Sequence, residues 1–151
     1  MALPRLGLLG GTAHAQRAGG AATGAGPGLR PHARSGNRID EVEFHPAWHQ
    51  LMDVAVSEGL ADPWSGQPGA HVARAAGFYT WSQVEGGPGC PISMTSAVIP
   101  ALRLPPDLPP PHQPLLPTRP HDPRLPPPPP HSAPPPRLVA AAHHARRPPR
   151  P

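Results

Sequence analysis

His45-Pro46-Ala47-Trp48-His49-Gln50-Leu51-Met52-Asp53-Val54-Ala55-Val56-Ser57-Glu58-Gly59 reads as a helix with one buried face. Trp48, Leu51, Met52, Ala55 and Val56 recur at the three- and four-residue spacing that lines side chains along one side of a helix. Pro46 suits the first turn, where its missing N–H would have no partner anyway. Glu41 and Glu43 stand just upstream, where negative charge complements the helix dipole. Gly59 closes the segment in the manner of a C-terminal glycine cap. On the N-terminal side Val42 and Phe44 alternate with Glu41 and Glu43, the pattern of a short extended entry with one buried face.

Working outward toward the C-terminus, Ala61 to Pro68 holds Asp62-Pro63 and Ser65-Gly66, both turn formers. A second helix is predicted from about Gly69 to Glu85, with Val72, Ala75, Ala76 and Tyr79 on one face, and its small residues would let another helix approach closely. Phe78, Trp81 and Val84 widen its apolar surface, so two partners are expected. Gly86-Gly87-Pro88-Gly89 breaks it. Pro91 opens a third helix through Met94, Thr95, Ala97, Val98 and Leu102, which Pro100 is expected to kink because its ring crowds the carbonyl of Ser96.

Beyond Arg103 the composition changes. Residues 104–151 hold 20 of the 29 prolines and no Trp, Tyr, Phe, Ile, Met or Gly, so they cannot furnish a core. Residues 1–28 are rich in Gly and Ala and poor in large side chains. The expected organisation is a poorly structured segment at 1–28, a helical domain at 29–103 and a disordered Pro/Arg/His-rich tail at 104–151. The fold class is mainly α: a small, incomplete domain of about three helices. A domain near 60 residues buries only about 60 % of its unfolded surface, so its wide apolar faces imply a larger body to rest on. A weakly cooperative melt and a tendency to aggregate are expected of it alone.

The net charge of +4 is partitioned. Residues 1–36 and 104–151 each carry +4, while 37–103 carries −4. The basic character therefore belongs to the flanks. All positive side chains are Arg, which suits phosphate. No aromatic residue interleaves the tail arginines as a stacking platform would, and C- and G-rich codons explain the bias, so nucleic-acid binding is not expected. Cys90 is the single cysteine, which fits a reducing compartment and a cytoplasmic protein. The Leu6–Leu9 run is too short for an export signal, whose apolar region needs about 7–15 residues. No run approaches the ~20 apolar residues of a membrane span.

The run Leu29-Arg30-Pro31-His32-Ala33-Arg34-Ser35-Gly36-Asn37-Arg38-Ile39-Asp40-Glu41-Val42-Glu43-Phe44-His45-Pro46-Ala47-Trp48-His49 closely resembles the AidB branch of the acyl-CoA dehydrogenase family. So do Ala70-His71-Val72-Ala73-Arg74-Ala75-Ala76, Ser82-Gln83-Val84-Glu85 and Gly89-Cys90-Pro91-Ile92-Ser93-Met94-Thr95, with a weaker echo around Leu8–Gln16. The resemblance covers about 29–103. It implies the N-terminal helical domain of a much longer flavoprotein. In that family a β-rich middle domain and a C-terminal bundle hold FAD, and the bundle side supplies the catalytic carboxylate. The branch is linked to the response to DNA alkylation, with DNA binding in its C-terminal part.

No flavin-contacting motif, catalytic carboxylate or DNA-binding region of the family can be matched here. The expectation is a catalytically inactive fragment that binds no cofactor alone, FAD belonging to the full-length family. Its partners would be the missing domains, if supplied elsewhere. After Ala101-Leu102-Arg103 the family continues with helix, whereas this chain enters Leu104-Pro105-Pro106. A shifted reading frame or truncated gene is the simplest expected cause.

Other candidate chemistry has a plainer alternative beside it. His45 and His49 lie four apart and could share a metal, but two ligands do not make a site. Gly86–Gly89 could suggest a phosphate cradle, yet no Lys follows at P-loop spacing, and an interhelix turn suffices. Cys90 reads as a small buried thiol, since no activating base is legible. Trp48 and Met94 read as core. In the tail, Arg103, Pro106 and Pro109 fit R-x-x-P-x-x-P, as do Arg124, Pro127 and Pro130. SH3- and WW-type grooves read such polyproline segments. The competing function is thus a non-enzymatic interaction protein, although chance in a Pro- and Arg-rich tail produces the same pattern. His131, His143 and His144 could collect a metal loosely.

Overall fold

The structure is a computed structural model that describes residues 3–61 and 67–103. The turn formers at 62–66 and the Pro-rich tail lie outside the described residues. The elements in chain order are α1 (Leu3–Gly10), α2 (Ala13–Gly24), β1 (Gly28–His32), β2 (Arg38–Glu43), α3 (Pro46–Ser57), α4 (Ala70–Ser82) and α5 (Gly89–Arg103). The described part is mainly α-helical with one small hairpin.

Helix α3 forms where its apolar stripe places it. Pro46 occupies its first turn, and the His45 imidazole caps it by accepting the Ala47 N–H. Its C-terminus closes with Gly59 at φ +81°. The Leu60 N–H donates to the Ala55 carbonyl at 3.0 Å and the Gly59 N–H to the Val56 carbonyl at 2.9 Å, the paired bonds of a Schellman turn. The turn delivers Leu60 into the core beside Leu51, Met52, Ala55 and Val56, all buried.

The expectation of a poorly structured 1–28 is corrected by α1 and α2. Leu6 is completely buried, and Ala15, Ala18 and Gly19 face the interior. Thr12 caps α2 by accepting from the Ala15 N–H at 3.1 Å, and the Gln16 side chain donates to the Gly10 carbonyl at 2.7 Å. Small side chains are poor at covering a core from a distance. They let these helices approach closely instead: α1 packs on α4, and α2 packs on α3. The domain thus has five helices among the described residues, against the three expected.

The extended entry at Val42 is one half of a hairpin. β1 pairs antiparallel with β2, setting Leu29 opposite Val42 and Arg30 opposite Glu41. The register shifts between Arg30 and His32, where Pro31 has no N–H for the ladder. Gly36, at φ +83°, makes the turn, and β1 is exposed along its whole length.

Helix α4 forms as expected but buries a different face. Val72 is 74 % exposed and Tyr79 71 %. Gly77 and Trp81 are the buried positions, flanked by half-buried Arg74, Phe78 and Val84. The bulkiest side chain decides the orientation: Trp81 turns inward, and the Val72–Tyr79 stripe, on the opposite side of the helix, turns out. The expected two partners are present, because Gly10 of α1 lies against Trp81 and Val84 while Gly89 of α5 lies against the Phe78 ring. In α5, Ile92, Thr95 and Ser96 are buried, and the helical backbone carries on through Pro100 to Arg103.

Candidate functional site

His45 and His49 make different contacts. The His45 Nδ1 accepts the Ala47 N–H at 3.1 Å, so the lone pair a metal would need is engaged in capping α3. His49 instead stands edge-on to two rings, with centroids 5.2 Å from Trp48 and 6.2 Å from Phe44. Phe44 and Trp48 stack closely, with centroids 4.1 Å apart and planes inclined by 20°. Burial pushes the His49 imidazole below its ordinary pKa, since a charged ring loses hydration there. Among the described residues no three His, Cys, Asp or Glu side chains gather as metal ligands do.

The glycine stretch after α4 is an interhelix turn, closed by the Gly89 N–H donating to the Gly86 carbonyl at 3.0 Å. The Glu85 carboxylate accepts the Gly87 N–H at 2.8 Å. An acid therefore takes a donor that a phosphate cradle would require. Cys90 is exposed, which corrects the expectation of a buried thiol. It sits two residues from buried Ile92, on the other side of the same helical turn, with its Sγ 3.8 Å from the Met94 Sδ.

Arg74 escaped sequence reasoning. Its Nε donates to the Leu60 carbonyl at 2.7 Å, and its guanidinium carbon lies 5.4 Å from the Phe78 ring centroid. The Nη2 is buried without a hydrogen bond among the described residues, and burial lowers the guanidinium pKa. The only available signal was one Arg amid the small residues of Ala73–Ala76, which suggests a snorkelling side chain. This is a structural arginine, clamping α4 to the turn after α3.

A cavity of about 70 Å³ opens between Leu9, Ala15, Leu51, Val54 and Trp81, with His14 on its lining. Cofactor-sized pockets run to about 300–1,000 Å³. This cavity is therefore smaller than a flavin's ring system needs. Arg103 ends α5, and Pro106, Pro109, Arg124, Pro127 and Pro130 lie outside the described residues. No helix among the described residues is long and apolar enough to cross a membrane.

What the geometry offers is a small helical body with an apolar stripe turned to solvent. The family profile of the adaptive response protein AidB N-terminal domain matches residues 1–123. The chain belongs to this family. It is 43 % identical over 95 residues to AidB of Escherichia coli (strain K12), a protein named, provisionally, as an acyl-CoA dehydrogenase. That match covers 61 % of this chain and 18 % of the relative. A solved structure, "Bd2924 apo-form", is similar at 26 % identity with a TM-score of 0.64, over 72 % of this chain and 22 % of that one. The chain thus spans about a fifth of the length of these proteins. The AidB profile begins at residue 1, so α1 and α2, where the sequence shows only a weak echo of the family around Leu8–Gln16, belong to the matched domain.

Proposed function

We propose that this chain is the N-terminal helical domain of an AidB-like acyl-CoA dehydrogenase, a docking piece that supplies no catalytic group and is inactive alone. The observation that carries the reading is the outward stripe of α4. Val72 and Tyr79 stand exposed on a domain whose E. coli relative extends far beyond the match, with only 18 % of its length covered. A face of this kind is suited to burial against further parts of such a chain. In the parent, FAD and the catalytic carboxylate would reside in those other parts, and the link to the DNA alkylation response would belong to the whole protein. The single exposed thiol and lack of partner cysteines support placing the chain in the cytoplasm.

The test is to purify the chain, record its flavin absorbance, and then co-express it with the E. coli relative shorn of its own N-terminal domain. The expected result is a colourless protein alone and increased FAD retention by the truncated relative in its presence. A yellow protein with stoichiometric FAD overturns the loss-of-flavin reading. Specific capture by SH3 or WW domains that vanishes on mutating Arg103 and Arg124 would instead favour the interaction-protein reading.

A further inference from the structure

We draw no further inference here: the strongest candidate, the solvent-facing apolar stripe of Val72 and Tyr79 on α4, carries none beyond the docking role already proposed because nothing in the structure shows what covers it.

Discussion

Gly19 of α2 packs its α-carbon directly against the main-chain carbonyl of Val84, just past the end of α4, and a β-carbon at Gly19 would overlap that oxygen. Glycine inside a helix is worse than alanine by about 1 kcal/mol, so this close approach is what makes the residue useful there. Gly19→Ala is expected to destabilise the domain by about 1–3 kcal/mol through overpacking. Gly20 is exposed with open space around its α-carbon, and Gly20→Ala is expected to stabilise by about 0.5–1 kcal/mol. Urea denaturation of both variants checks the pair; shifts of the same sign would sink the account.

Trp81 ties two helices together. Its indole Nε1 donates to the Leu51 carbonyl at 3.2 Å, and its ring is buried. Trp81→Phe removes the bond and part of the ring, at an expected cost of about 1–3 kcal/mol. Trp48→Phe changes a half-buried ring stacked on Phe44 and is expected to cost less, about 0.5–1.5 kcal/mol. Thermal melts of the two variants should rank in that order.

His45 acts on α3 through its cap. His45→Ala deletes the acceptor for the Ala47 N–H and is expected to cost about 0.5–2 kcal/mol. His45→Asn restores a short acceptor and should recover most of that loss. Far-UV circular dichroism across a denaturant series measures both. A His45→Ala variant as stable as the parent would show that the observed bond adds nothing.

The parts of the fold legible in sequence share a cause. α3 announced itself because its stripe is made of large residues bounded by Pro46 and Gly59, where periodicity and punctuation agree. α2 was illegible because Ala15, Ala18 and Gly19 contribute backbone proximity, and no hydropathy pattern records proximity. α4 was located correctly, yet its buried face was misassigned. Val72, Ala75, Ala76 and Tyr79 form as regular a stripe as Gly77 and Trp81, and only the tertiary partners Gly10 and Leu51 decide between them. The site residues fared similarly: the spacing of His45 and His49 was visible, but the capping bond that occupies His45 depends on where α3 starts.

His49 gives the domain a pH dependence of definite sign. Its folded pKa lies below the ordinary 6.5 because burial disfavours the charged ring. Above that value the ring is neutral in both states, and its packing is fully available. As pH falls below about 6.5 the unfolded chain takes up the proton first. Stability contributed at this site is therefore lost through the window beneath 6.5 and levels off once the folded ring is also charged. His49→Gln should flatten that part of the profile. A direct NMR titration of His49 checks the cause; a midpoint above 6.5 would reverse the sign and refute it.

Val72 and Tyr79 make the last case, because their exposure separates stability from solubility. Both side chains face away from the core, each more than two-thirds exposed, so replacing them removes little burial. The double variant Val72→Glu/Tyr79→Lys is expected to keep its unfolding free energy within about 0.5 kcal/mol of the parent. Its self-association at high concentration, read by light scattering, should fall, since a contiguous apolar stripe promotes association where scattered apolar residues do not. Leu8→Lys is the control: Leu8 is 76 % exposed but lies on α1, apart from the stripe in sequence. Equal gains in solubility from Leu8→Lys would mean that exposed apolar area in general, and not this helix face, governs association. Loss of folding in the double variant would mean that the outward face is already buried in the free domain.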